Sequence, residues 1–358
     1  MTPRILEPGC AWTAADVADE DTWTEHLDDA EQAELDAALH HALERSDDVL
    51  DLGAADFPLP TLAPRLATIE AELIDGRGFV RIRGIDRAAY SQAEMEVLYW
   101  GIGMHLGEPW AQNQHGHVLG DVTDQGRRVD DPTARGNELG GIGLPFHCDG
   151  SDLVGLMCLD DGRTGGLSMV TSSVRIHNRM VAECPELAAA LYDPLPYDYR
   201  GEQVPGRKPY YEVRCFTEWD GRLFVRCIPP YIWASQRHPA APRLTDVQAE
   251  ALRTFVTLAD DPDGTVQMAL RPGDIQLIDN YHVLHGRTPY EDDRGAGRVR
   301  HLKRLWLETP VLESRPPWFA NTRSHWSDRR TASRMPVRTA QRAPAGDADR
   351  ARRRDEGA

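Results

Sequence analysis

The stretch TVQMALRPGDIQLIDN, residues 265–280, places two short strand-like runs on either side of a Pro-Gly turn. Runs of this length, bounded by Gly and Pro, indicate strands. The same character recurs in DLVGLMCL (152–159), GLSMVTSS (166–173), EVRCFTEWDGRLFVRCIP (212–229) and RVRHLKRLWLET (298–309). The Asp220-Gly221 pair inside the third of these stretches predicts a type I′ hairpin. Strands at this density, joined by hairpin turns, predict a jelly-roll barrel beyond residue 145.

Helices precede and flank these strands. Amphipathic patterns predict helices over 28–45 and 63–75, the second ending at Gly76 before the strand GFVRIRGI. Two more begin at capping boxes, one at Ser91 and one at Thr245. We therefore predict a mainly β fold with flanking helices (α+β), organised as a double-stranded β-helix (jelly-roll) barrel.

Composition and length indicate one folded domain with terminal additions. Of 358 residues, 27% are charged and 41% hydrophobic, which is ordinary for a globular protein. We predict an N-terminal extension over 1–27, a single jelly-roll domain over 28–310 and a basic, disordered tail over 311–358. The tail assignment rests on ten Arg against five acidic residues from Arg323 onward.

The charge and the cysteines exclude several classes of protein. A formal net charge of −17 argues against a nucleic-acid or anionic-membrane binder, since such proteins neutralise phosphates with basic surfaces. The six cysteines show no C-x-x-C spacing, which indicates reduced thiols rather than a zinc knuckle or redox pair. No signal-peptide core or run of 18 apolar residues occurs. We predict a cytoplasmic protein whose partners are small molecules; its oligomeric state stays open.

The segment between Gly107 and Pro145 has little periodicity and is rich in Gly, Asp and Arg. Structureless segments this long in a compact domain are usually lids, binding loops or disordered. We predict a lid over 108–145, in which Gln112 and Asn113 are candidates for contact with a substrate.

The stretch LPFHCDGSD (144–152) holds His147 and Asp149 two residues apart. Side chains alternate along a strand, so both would point to one face while Cys148 points to the other. Such a pair alone is weak evidence for a metal site, because surface His and Asp residues are often spaced in this way by chance.

A third candidate ligand follows the strand that ends at Asp279 and Asn280. The turn beyond it delivers His285, with His282 as a competitor three residues earlier. Two histidines and one carboxylate on one face of a metal leave three positions open, as in non-heme Fe(II) oxygenases. The sequence thus predicts a metal centre of His147, Asp149 and His285.

The last predicted strand carries two arginines on one face. Arg300 and Arg304 would point the same way, about 13 Å apart at roughly 3.3 Å per residue. If this face lines the barrel interior, the two guanidiniums require anions, because burying them unpaired is costly. The alternative is that the face is exterior and both arginines are solvated. In the first case His301 and Lys303 would lie outside.

These motifs resemble those of the taurine dioxygenase and clavaminate synthase-like branch of the Fe(II)/2-oxoglutarate-dependent oxygenases. That family has an H-x-D or H-x-E pair, a distal His in a D-N-x-x-x-x-H context and an R-x-x-x-R strand. All three are present in order, within about residues 76–308.

The resemblance implies roles for individual residues. His147, Asp149 and His285 would bind Fe(II), and Arg300 would hold the distal carboxylate of 2-oxoglutarate, with Arg298 as the fallback. Ser168 stands where the family often has a Thr beside that carboxylate. Arg304 would meet an acidic group of the substrate. Related halogenases replace the carboxylate ligand with a small residue; because Asp149 is retained, oxygen transfer is favoured.

The resemblance also implies the reaction. The expected cosubstrates are 2-oxoglutarate and O2, the products succinate and CO2, and the substrate a free or carrier-borne amino acid or another compact anion of secondary metabolism. Hydroxylation, desaturation, epoxidation and ring closure all remain open. Two other classes stay as alternatives: a non-catalytic jelly-roll binding protein, and a zinc-type hydrolase with the same three ligands, which would need neither Arg300 nor Ser168.

Overall fold

The structure is a computed structural model that describes residues 3–6, 9–46, 48–113, 115–203 and 205–317. Its helices are α1 Asp29–Arg45, α2 Leu62–Asp75, α3 Gln92–Met104, α4 Ser173–Glu183, α5 Pro185–Ala190, α6 Pro229–Ser235 and α7 Asp246–Ala259. Its strands are β1 Thr24–His26, β2 Phe79–Arg83, β3 Glu108–Pro109, β4 Leu119–Thr123, β5 Leu144–His147, β6 Leu153–Asp160, β7 Thr164–Gly165, β8 Ser168–Ser172, β9 Pro194–Asp198, β10 Tyr210–Arg214, β11 Phe216–Trp219, β12 Arg222–Val225, β13 Thr265–Met268, β14 Ile275–Asp279, β15 Val283–Arg287, β16 Tyr290–Glu291 and β17 His301–Glu308. The tail from residue 318 onward lies outside the described residues.

Two sheets form the centre of the molecule. The larger has seven strands in the order β1-β2-β14-β6-β17-β3, with β4 pairing β17 as well. The smaller has four strands in the order β13-β8-β15-β5. Three two-stranded ribbons, β9 with β10, β11 with β12 and β7 with β16, complete the described sheets. The predicted mixture of mainly β structure and flanking helices is confirmed.

The strands predicted on either side of Pro272-Gly273 are both present, but they lie in different sheets. β13 pairs β8 in the smaller sheet, whereas β14 pairs β2 and β6 in the larger one. The turn is closed by the Asp274 carboxylate, which accepts from the backbone N–H of Arg271 at 2.9 Å. This stretch therefore carries the chain from one sheet to the other.

The Asp220-Gly221 hairpin is confirmed. Asp220 has φ 49° and Gly221 φ 78°, so both central residues have the positive φ that a type I′ turn requires. The turn joins β11 to β12, with Trp219 opposite Arg222.

The capping boxes predicted for α3 and α7 are also confirmed. The hydroxyl of Ser91 accepts from the N–H of Glu94, and Thr245 and Gln248 form the equivalent pair. Helices α1, α2 and α3 bury their apolar faces in one cluster with side chains of β6, β14 and β17. These helices therefore support the larger sheet from one side.

A second apolar cluster draws residues from both sheets, including Phe79 of β2 and Val170 of β8. Trp12 and Trp23, from the predicted N-terminal extension, pack in this cluster with ring centroids 5.2 and 5.6 Å from that of Phe79. The candidate site lies near this apolar cluster, and both sheets contribute residues to it.

The predicted lid over 108–145 contains regular structure that the sequence analysis missed. Residues Leu119–Thr123 form β4, which pairs antiparallel with β17. The run LGDVT has only two apolar residues, Leu119 and Val122, and they are three residues apart, so it lacks the alternation of a strand. Other described residues of the segment, among them Arg135, Leu139 and Ile142, line a cavity described below.

The expectation that Lys303 is exterior is wrong. Its side chain is 2% exposed, and its ammonium lies 3.0 Å from Glu96 and 2.5 Å from Asp121. His301 is half-buried, 2.7 Å from the same Asp121 carboxylate. Lys303 on this face of β17 meets Glu96 of α3 and Asp121 of the neighbouring strand β4. The alternation of residues along β17 does not reveal that either element lies there.

Two other expectations are met in the described residues. All six cysteines are free thiols, five of them buried. None of the described helices combines the length and the apolar character needed to cross a lipid bilayer.

Candidate active site

Two histidines face each other across paired strands. β15 runs antiparallel to β5, with His285 directly opposite His147. Residues opposite each other in an antiparallel pair project to the same side of the sheet, and the two imidazole centroids are 4.3 Å apart. The prediction that His285 lies in a turn is wrong, because it is the central residue of β15.

Asp149 reaches the same point by another route. β5 ends at His147, so strand alternation does not direct Asp149. Instead the buried amide of Asn280 holds the chain there: its Oδ1 accepts from the Asp149 N–H at 2.7 Å. Its Nδ2 donates to the carbonyls of Asp149 at 3.0 Å and Ser151 at 2.7 Å. Asn280 therefore joins the two histidine-bearing motifs.

His147, Asp149 and His285 each offer one ligand atom within 4.8 Å of the others. His285 Nε2 lies 3.6 Å from Asp149 Oδ2. The Nδ1 atom of His147 lies 2.9 Å from the carbonyl of Pro145, so this nitrogen is the natural donor and Nε2 remains for a metal. The donor set suits a first-row divalent ion.

The electrostatics favour metal-binding protonation states. Burial lowers the pKa of His147 to about 4, and the neighbouring His285 acts in the same direction. Burial alone would raise the pKa of Asp149, but the Arg304 guanidinium and His285 hold it well below its usual range. At neutral pH the site thus presents a neutral imidazole and an ionised carboxylate, as metal ligands must be.

The competitor His282 is engaged elsewhere. Its Nδ1 lies 3.1 Å from an Asp279 oxygen and its Nε2 lies 3.0 Å from the carbonyl of Leu223. Cys148 packs in an apolar cluster, with its Sγ 3.5 Å from the carbonyl of Cys227, and burial raises the pKa of its thiol to about 12. Only His285 joins His147 and Asp149 among the described residues.

The three groups lie in the wall of a cavity of about 340 Å³. Its lining includes six arginines against three acidic residues: Arg135, Arg200, Arg226, Arg287, Arg300 and Arg304, with Asp149, Asp198 and Glu202. Arg300 and Arg304 both face this interior, so the alternative of a solvated face is wrong. Arg298 instead lies at the surface, paired with Asp161 at 2.9 Å. Such a lining selects for anionic ligands.

Arg304 and Gln112 form one buried unit beside Asp149. Arg304 donates to Asp149 Oδ2 at 3.1 Å and to Gln112 Oε1 at 2.8 Å. Trp306 Nε1 donates to the same Asp149 oxygen at 2.9 Å. Asn113 lies outside the residues that line the cavity, because its amide closes the 113–117 turn by accepting from the N–H of His117.

A second group of arginines was missed by the sequence analysis. Arg226 donates to the Asp149 carbonyl at 2.6 Å, and its buried Nε has no partner among the described residues. The Arg200 guanidinium stacks 4.6 Å from the Tyr231 ring centroid. Arg135 lies 3.9 Å from Glu202. These residues come from separate loops and strands without a motif, so no signal in the sequence connects them.

The far end of the cavity contains Arg300, Ser168 and Arg287. Arg300 donates to the Gly166 carbonyl at 3.1 Å through Nη2, whereas its buried Nη1 has no partner in the described structure. Ser168 donates to Gln276 Oε1 at 2.7 Å. Burial and the adjacent Arg300 lower the pKa of Arg287 to about 10. This end thus holds two guanidiniums, and no carboxylate of the described residues lies within hydrogen-bonding distance of either guanidinium.

Comparison with known families identifies the class of enzyme. The family model described as "Taurine catabolism dioxygenase TauD, TfdA family" matches residues 39–306. The chain belongs to this family. It is an Fe(II)- and 2-oxoglutarate-dependent dioxygenase, which uses O2 as its other cosubstrate. A curated relative in the family is FR-33289 synthase of Streptomyces rubellomurinus, 34% identical over 299 residues, covering 83% of this chain and 88% of the relative.

Solved structures of non-heme iron oxygenases share the fold of this TauD-family chain. OrfP, solved with Fe, succinate and (3S)-hydroxy-L-Arg, has a TM-score of 0.61 at 18% identity over 81% of this chain and 96% of its own. Asparagine oxygenase, solved with Fe(II), 2S,3S-3-hydroxyasparagine and succinate, has a TM-score of 0.60 at 20% identity over 80% and 93%. The shared fold therefore covers nearly the whole of both solved structures and about four fifths of this chain.

Proposed function

We propose that His147, Asp149 and His285 hold the Fe(II) ion and that Arg300 and Ser168 receive the distal carboxylate of 2-oxoglutarate. One observation carries the proposal: two histidines and a carboxylate converge on a buried cavity that also contains an unpaired guanidinium donor. Ligands on one face leave positions free for the cosubstrates. The bound iron, with 2-oxoglutarate and O2, would oxidise a C–H bond of the substrate and release succinate and CO2.

The protein's own residues orient and enclose this site. Arg304 and Trp306 hold the Asp149 carboxylate by two hydrogen bonds to one oxygen, which fixes its direction. Arg300 would set the depth at which the cosubstrate lies. Leu139 and Ile142 of the lid line the same cavity and would keep bulk water away from the reacting atoms.

We infer a small, anionic, amino-acid-like substrate, recognised next to Arg304 and Gln112. This end of the cavity offers both signs of charge, from the guanidiniums of Arg226 and Arg200 and from the Arg135–Glu202 pair. Such a lining suits a zwitterion with an additional anionic group. Two proteins of the same fold were solved with hydroxylated amino acids. A cavity of about 340 Å³ accommodates a small metabolite. Hydroxylation is the reaction that we propose.

The architecture fits the double-stranded β-helix barrel that the sequence predicts. We propose that the seven- and four-stranded sheets are its two faces, within a single domain over 28–310 that residues 108–145 cover as a lid. The fold shared with OrfP and asparagine oxygenase supports this arrangement.

The test is an anaerobic titration of the metal-free protein with Fe(II) and 2-oxoglutarate, monitoring the visible charge-transfer band of the chelate. Replacing Arg300 with methionine should raise the dissociation constant of 2-oxoglutarate about 100-fold, since a buried charge-assisted pair contributes up to about 3 kcal/mol. The matched control is Arg298→Met, which removes an exposed arginine from the same segment and should leave the constant unchanged.

Two outcomes would contradict the proposal. Folded wild-type protein that binds metal but gives no band would favour the zinc-type hydrolase or the binding protein. Equal weakening by Arg298→Met and Arg300→Met would mean that Arg300 does not contact the cosubstrate.

A second prediction concerns Asn280, which clamps the Asp149 turn. Asn280→Ala should weaken Fe(II) binding about 10- to 100-fold, because groups that orient a ligand typically contribute that much to metal affinity. Competition with a chromophoric chelator measures the effect. Asn178 is a suitable control: its amide also bonds to a distant backbone, that of Leu6, but away from the cavity. Asn178→Ala should leave metal affinity unchanged, and an unchanged affinity in Asn280→Ala would refute the clamp.

A further inference from the structure

Arg287 is the one arginine among the described lining residues to which the proposed function gives no role. It lies two residues beyond His285 on β15 and therefore projects to the same side of the strand. The residue opposite Arg287 on the neighbouring strand β8 is Ser168. Its side chain is 4% exposed, and it lines the cavity at the end where Arg300 also lies.

Arg287 and Arg300 both lie over the ring of Tyr290. Their guanidinium carbons are 4.7 and 5.3 Å from its centroid. Each contributes buried donors without a partner among the described residues: Nε and Nη1 of Arg287 and Nη1 of Arg300. The buried hydroxyl of Tyr290 is likewise without a partner there. Two buried cations at one ring, both with free donors, are costly unless an anion pairs with them.

The Nη2 group of Arg287 is already occupied. It donates to the carbonyl of Leu139 at 3.1 Å and to that of Ile142 at 2.9 Å, both in the lid. These bonds fix the plane of the guanidinium and leave Nε and Nη1, which point to different sides of it, as the donors available to a ligand. Prior fixation of this kind lowers the entropic cost of binding.

We propose that Arg287 and Arg300 together form a two-guanidinium site for the distal carboxylate of 2-oxoglutarate. This inference rests on the proposed function, since it assumes that the cosubstrate lies at this end of the cavity. In it Arg287 is a binding residue that also ties the backbone of the lid to the cosubstrate.

The test compares 2-oxoglutarate with 2-oxopentanoate, which has the same carbon chain but no distal carboxylate. Both are titrated anaerobically into the full-length Fe(II) protein, with the chelate band as the signal. In Arg287→Met the dissociation constant of 2-oxoglutarate should rise about 10- to 100-fold, as expected for the loss of a charge-assisted bond. That of 2-oxopentanoate should change less than about threefold, because it never contacts the guanidinium. Arg287→Lys, which keeps the charge, should lie between wild type and Arg287→Met.

The selectivity between the two acids separates the possible failures. If Arg287→Met weakens both acids equally, Arg287 acts only through the lid and the inference is overturned; an unchanged constant for 2-oxoglutarate overturns it as well. If wild-type protein gives no band with either acid, the proposed function itself fails. Arg298→Met serves as the control for loss of a nearby positive charge.

Discussion

Asp149→Ala is expected to lower the rate of succinate release from 2-oxoglutarate at least about 1000-fold. Loss of a group that only orients a ligand typically costs 10- to 100-fold in metal affinity, and removal of a ligand should exceed that. Asp149 also supplies the negative charge that offsets Arg304 in a buried site. Without it, a divalent cation would meet two imidazoles and an uncompensated guanidinium.

Two measurements check this expectation. Succinate is quantified at saturating Fe(II), and the anaerobic chelate band is recorded for the same samples. Asp161→Ala is the matched control, because Asp161 is a half-exposed carboxylate paired with Arg298 at the surface. Asp149→Glu should retain more activity than Asp149→Ala, since it keeps a carboxylate. An Asp149→Ala protein that still gives the full band at wild-type Fe(II) concentrations would exclude Asp149 as a ligand.

The candidate metal ligands could be predicted because a few spaced residues carry the chemistry. The H-x-D pair and the distal His285 can be recognised in the local sequence alone. The alternation predicted for residues 298–309 correctly turned Arg300, which directly precedes β17, towards the interior. The contacts that bring these ligands together differ in part from those predicted. His285 meets His147 as a cross-strand pair, and Asp149 is directed by the Asn280 amide rather than by strand alternation.

The rest of the cavity depends on tertiary contacts that no local pattern contains. Arg287 lies two residues after His285, yet it meets Arg300 only because β15 and the residue before β17 both reach the Tyr290 ring in the folded chain. Arg226 directly follows the hairpin strand β12, and nothing in the local sequence there indicates that its side chain enters a cavity. Strand β4 was missed because its pairing with β17 stabilises a run of residues with little strand propensity of its own.

Lys303 illustrates the same limit and gives the largest expected change in stability. The chain has two lysines, Lys208 and Lys303. Lys303 is buried between the carboxylates of Glu96 and Asp121. Lys303→Met would leave the buried Glu96 and the half-buried Asp121 without their shared cation, and breaking a buried pair costs about 3–5 kcal/mol. Chemical denaturation at pH 7 should show this loss, whereas Lys208→Met, which removes an exposed lysine, should change the free energy of unfolding by less than about 0.5 kcal/mol.

The loss should also depend on pH in a definite direction. Burial alone would raise the pKa of Asp121, but His301 and Lys303 bring it below its usual value. In the wild type this carboxylate therefore stabilises the fold above its unfolded pKa of about 3.9, and the contribution is lost as pH falls through the lower folded value. In Lys303→Met the contribution of Lys303 is gone while burial and His301 remain, so the pKa of Asp121 should rise and protonation should relieve part of the uncompensated charge. The difference in unfolding free energy between wild type and Lys303→Met should therefore shrink between pH 7 and pH 4. A difference that is constant over this range would show that lost packing, and not the buried charges, causes the destabilisation.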